Sequence, residues 1–127
     1  REEVARFLAQ CFHPTFADVT PHPKSTAGYI YLIHSEAGYH KIGKARHPFS
    51  RSQTIGTEHA VATRLIYIAR CTDYAVTERL LHRALAEYRM NGEWFNLPAG
   101  QLDWLLSGNW VDDLGLRAVV TDCERVP

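Results

Sequence analysis

Four basic side chains, Lys41, Lys44, Arg46 and Arg51, fall between residues 28 and 51 against a single acid, Glu36. This is a local balance of +3 in a chain whose formal net charge is zero. Such a patch can meet phosphates. Its counterweight is residues 93–127, where two arginines face six carboxylates for a balance of −4. On charge alone, a scattered solvated surface accounts for the pattern equally well. Further along, Glu78 and His82 stand four residues apart, one turn along the same face of a helix. A zinc site built on that pair needs a third protein ligand, and no spacing in the chain suggests one. The three cysteines, Cys11, Cys71 and Cys123, are widely separated and lack C-x-x-C spacing. They fit idle thiols in a reducing, cytoplasmic setting.

The elements that must position the basic patch can be read from residue type. Tyr29 to Ile33 is an aromatic and β-branched run, bounded by Gly28 and by the turn-prone Ser35, Glu36, Ala37 and Gly38. It predicts a buried strand ending at a short loop. Tyr39 to Gly43 then forms a second strand, and a connection this short makes the pair an antiparallel hairpin. Alternation puts Tyr29, Tyr31 and Ile33 on one face and Ile30 and Leu32 on the other. On the second strand Tyr39, Lys41 and Gly43 share a face, so matching registers make Tyr31 and Lys41 neighbours. Pro48 opens a helix running to about Thr54, ended by Ile55-Gly56-Thr57, and Arg51 projects from its first turn.

Around this hairpin the chain is one ordinary domain in size, 127 residues with 46% hydrophobic and 22% charged. Val4, Phe7, Leu8, Cys11 and Phe12 have helical spacing and predict an N-terminal amphipathic helix, followed by a proline-rich linker from His13 to Thr26. A third strand is expected over Ala62 to Cys71, with Leu65, Tyr67 and Ala69 on one face against Ile66 and Ile68 on the other. Thr72 or Asp73 caps a long helix reaching about Arg89. Asn91-Gly92 marks a turn before an extended Glu93 to Leu97. A last helix spans about Ala99 to Leu106, and Leu116 to Thr121 is a candidate edge strand. The order implies an α+β fold, a small and mainly antiparallel three-stranded sheet flanked by helices. The expected division is residues 1–27 as helix and linker, 28–97 as the domain, and 98–127 as a C-terminal helix and tail packed on it. No apolar run is long enough for a membrane span.

The pairing of a Y-x-Y-x-I strand with K-I-G and a proline-led helix bearing an arginine resembles the GIY-YIG nuclease superfamily, in particular its KIG-bearing branch. E-R-L-L-H at residues 78–82 and G-E-W-F at 92–95 continue the likeness. The resemblance implies a metal-dependent endonuclease acting on DNA, with RNA the second choice. It implies Tyr31 as the base that takes a proton from water, Arg51 on the scissile phosphate, and Glu78 as the one protein ligand of a magnesium ion, which manganese can replace. Free tyrosine titrates near 10, so the phenolate needs a nearby cation, and Lys41 is the candidate. The superfamily more often carries tyrosine where Lys41 stands, which leaves open which residue takes the proton. His82 is expected to bind substrate or assist proton transfer, and Lys44 and Arg46 to steer the nucleic-acid backbone. Glu93, Trp94 and Phe95 are expected to be structural. The alternative class is a non-catalytic nucleic-acid-binding or protein-docking module, in which Tyr31 is core and Arg51 and Glu78 are solvated. Neutral net charge and Lys41 favour it; the joint presence of Tyr31, Arg51 and Glu78 favours the enzyme.

Overall fold

The structure, a computed structural model, describes residues 26–127. The expected N-terminal helix and most of the linker lie outside these residues. Strands β1 (Gly28–Ser35) and β2 (His40–Ala45) form the anticipated antiparallel hairpin. Then come α1 (Pro48–Glu58), β3 (Thr63–Cys71), α2 (Tyr74–Ala84), β4 (Arg89–Asn91), β5 (Trp94–Phe95), α3 (Ala99–Ser107), α4 (Asn109–Asp113) and β6 (Val120–Arg125). The α+β class stands, but the sheet has six strands rather than three, in the order β4-β5-β2-β1-β3-β6, with every pairing antiparallel. Of the added strands, β4 and β5 are short, and β4 and β6 form the two edges of the sheet. Two lie in the tight hairpin around Gly92, and the third comes from the tail, beginning at Val120 rather than Leu116.

β1 is buried on both faces, and its alternation sorts two cores. Ile30 and Leu32 join Ile42, Tyr67, Leu81, Phe95, Leu105 and Trp110 beneath α2, α3 and α4. Tyr29, Tyr31 and Ile33 join Ile55, Leu65 and Ile68 beneath α1. One expectation about β3 fails for a local reason. Register slips between Leu32 and Ile33, so that Leu32 faces Tyr67 while Ile33 faces Leu65. Ile66 is the extra residue of a β-bulge, which turns Leu65 to the α1 side with Ile68 and leaves Tyr67 and Ala69 on the other.

Two helix ends also differ from expectation. α1 continues through Gly56 to Glu58 because Ile55 is buried against the sheet, and that burial outweighs glycine's weak helix propensity. α2 starts as predicted, with Asp73 Oδ1 accepting from the Val76 amide at 3.1 Å. It ends at Ala84, and after Leu85 the segment Ala86–Tyr88 tightens into a 3-10 turn that delivers the chain to β4. Gly108, at φ 82°, closes α3 in the left-handed region and lets α4 turn Trp110 into the core, where it is fully buried.

Candidate active site

The site grows from a missing side chain. Tyr31 on β1 lies directly opposite Gly43 on β2. A methyl group at Gly43 would overlap the Tyr31 hydroxyl and come within 2.8 Å of Glu93 Oε1. Glycine therefore lets the phenol ring lie across β2. Strand β5 pairs with β2 only at His40 and Lys41, and the Ile42 amide donates to the Glu93 carbonyl at 3.0 Å. Among the described residues no strand covers Gly43 to Ala45 on that side. Tyr31 is buried, ring and hydroxyl together, and the hydroxyl lies over Gly43 near Glu93 Oε1.

Three elements send charge to that hydroxyl. Arg51, in the first turn of α1, donates a hydrogen bond to it. Glu93, beyond the Gly92 turn, and Glu78, on α2, raise the energy of its anion. Burial first, and Glu93 second, push the Tyr31 pKa up to about 12 against the opposing pull of Arg51. At neutral pH the group is a hydroxyl.

Lys41, the expected cation, is on the same face as Tyr31 but one step along, opposite Ile33. Its ammonium lies 3.3 Å from Glu93 Oε1 and 5.6 Å over the Trp94 ring. The cation that touches Tyr31 is Arg51. His82 is turned inward. Its Nε2 donates to the Ile42 carbonyl at 2.8 Å and its ring packs edge-on against Phe95, tying α2 to β2. Lys44 pairs with Glu78 Oε1 at 3.1 Å and stands 5.9 Å from the Tyr74 ring. Arg46 is exposed two residues further on.

A divalent cation can be tested against Glu78. The carboxylate is largely buried, with 13% of its side chain exposed. Its Oε1 faces Lys44, and its Oε2 is buried with no hydrogen-bond partner. A hard, desolvated oxygen with a vacant lone pair suits magnesium, which keeps most of its shell as water and substrate oxygens. Among the described residues no cluster of three or more His, Cys, Asp or Glu could hold a metal, so the fit is to a single-carboxylate site.

Glu93 is the functional candidate that residue-by-residue reading passed over. Its signal was partly available, since it is an acid directly after an Asn-Gly turn, but the pairing of the strand it leads with both β4 and the Lys41 strand is set by the sheet. Compared with known families, residues 28–110 match the T5orf172 domain. No curated protein and no solved structure matches the chain.

Proposed function

Because the chain belongs to the T5orf172 domain family, phage-associated and nuclease-like at the family level, we propose that it is a GIY-YIG-type, metal-dependent endonuclease acting on DNA before RNA. The observation that carries this reading is the meeting of the Tyr31 hydroxyl and Glu93 Oε1 over Gly43, with Arg51 and the charge of Glu78 acting on the same hydroxyl from two other segments. A folding role does not call for it, because a buried tyrosine is satisfied by one neutral partner.

In this reading Arg51 holds the scissile phosphate with a planar, permanently charged donor and offsets charge that builds on it during in-line attack. The same guanidinium fixes the Tyr31 oxygen. Tyr31 sits where it can orient the attacking water by hydrogen bonding. Glu78 would hold a divalent metal through Oε2, and when bound that ion supplies Lewis-acid stabilisation of the phosphate and of the departing oxygen. Lys44 and Arg46 meet neighbouring phosphates, Lys44 by leaving its pair with Glu78, and set the register of the strand without reading bases. A docking module without catalysis is the second reading. It is favoured by the Lys41–Glu93 and Lys44–Glu78 pairs, which neutralise two of the cations.

The test is incubation with labelled single- and double-stranded DNA and RNA in magnesium, manganese or EDTA. Cleavage that needs the metal is expected. Binding without cleavage under every condition replaces the enzyme with the module.

A further inference from the structure

Resting on the nuclease reading, we propose that Glu93 is the proton acceptor behind Tyr31, making Tyr31 a relay rather than the final base. The geometry is compact. Tyr31 and Glu93 Oε1 close on the same vacant volume above Gly43. Lys41, 3.3 Å away, orients the carboxylate. Arg51 donates to the Tyr31 oxygen and cannot accept a proton, so Glu93, whose Oε1 meets the same volume over Gly43, is the neighbouring carboxylate that can. The groups facing the relay are thus Arg51 from α1, Lys41 from β2, Glu78 from α2, and Glu93 itself.

The balance requires such an acceptor. Tyrosine ordinarily titrates near 10, so at neutral pH it is a hydroxyl and can take a proton only by giving one away. As the water oxygen forms its bond to phosphorus, the water O–H breaks and its proton passes to the Tyr31 oxygen. The Tyr31 proton passes in turn to Glu93, and the bond from phosphorus to the leaving sugar oxygen breaks. That oxygen is protonated from solvent, and Glu93 later returns its proton to solvent. Glu93 therefore acts through Tyr31, and Lys41 acts through Glu93.

Glu93→Gln separates proton acceptance from shape, because the amide can still accept a hydrogen bond from Tyr31 but cannot take its proton. Wild type, Glu93→Gln, Tyr31→Phe and the double variant are compared for kcat and KM on one cleaved oligonucleotide, and for binding in EDTA. The expected result is a fall in kcat of about tenfold to a hundredfold for Glu93→Gln, with KM and metal-free binding unchanged or tighter. The double variant should be within about twofold of Tyr31→Phe, because two members of one relay are not additive. An undiminished kcat in Glu93→Gln overturns the relay, and so does full additivity in the double variant. A raised KM with kcat intact reassigns Glu93 to substrate placement and also overturns it. If the wild type cuts nothing, the nuclease reading falls first and the relay with it.

Discussion

Tyr31 and Tyr67 occupy adjacent strands of one sheet, both almost fully buried, and both have hydroxyls that hold their protons more tightly than free tyrosine. Their surroundings are opposite. The Tyr67 hydroxyl accepts from Trp110 Nε1 at 3.0 Å and contacts Cys123 within the apolar core. Burial is the largest cause of its shift, followed by the neighbouring Cys123. The Tyr31 hydroxyl lies over Gly43, where two carboxylates and a guanidinium act on it. Equal burial therefore leaves the two tyrosines in different electrostatic surroundings, and what separates them is the charge that neighbouring elements bring to Tyr31.

The sharpest break in this comparison is at Glu78. Glu78→Gln keeps size and helix propensity but removes the charge that would hold a cation. Metal-dependent cleavage is expected to disappear, while metal-free binding holds or tightens because a charge that repels phosphates is gone. Parallel cleavage and filter-binding assays at one fixed salt concentration check this, and a variant that cuts like wild type removes Glu78 from the site.

Next in size, Tyr31→Phe should slow the chemical step by roughly a hundredfold or more with little effect on folding. The same substitution at Tyr67 should leave cleavage unchanged and cost roughly 1–3 kcal/mol, because Trp110 Nε1 loses its buried partner. Rates and urea midpoints measured on both variants decide the matter. Equal effects at the two positions would erase the distinction.

Gly43→Ala should fall between these extremes. The new methyl displaces the Tyr31 hydroxyl and Glu93 Oε1, lowering the rate toward that of Tyr31→Phe. It should also cost roughly 1–3 kcal/mol of overpacking. Unaltered cleavage by a folded variant would show that the ring does not need its place over Gly43.

The smallest effect concerns a third buried group, His40, whose pKa burial and then the charge of His34 lower to about 4. The unfolded chain takes up that proton first as pH drops below the ordinary value near 6.5, so stability is full above that value and is lost as pH falls toward 4. A loss of about 1–3 kcal/mol between pH 7.5 and 4.5 is expected, and it should shrink in His40→Gln. Urea midpoints at the two pH values read it, and an unchanged slope in the variant would place the titrating group elsewhere.

The amino-acid sequence by itself determined what depends on near neighbours. The two faces of β1, the tight hairpin at Ser35–Gly38, the Asp73 cap and the stop at Gly108 follow from side-chain alternation and backbone preference within a few residues. What only tertiary structure decided depends on residues far apart in the chain. The slip at Ile66 is a matter of how β3 meets β1, and the six-stranded sheet needs two short strands that have no periodicity of their own. α2 ends at Ala84 because the chain must turn back to form β4 and β5. That return brings Glu93 within reach of Lys41 and Tyr31 and leaves Arg51 as the cation on the hydroxyl. Which cation meets which oxygen is set by distances of a few ångströms between separate elements, and a spacing along the chain carries no such distance.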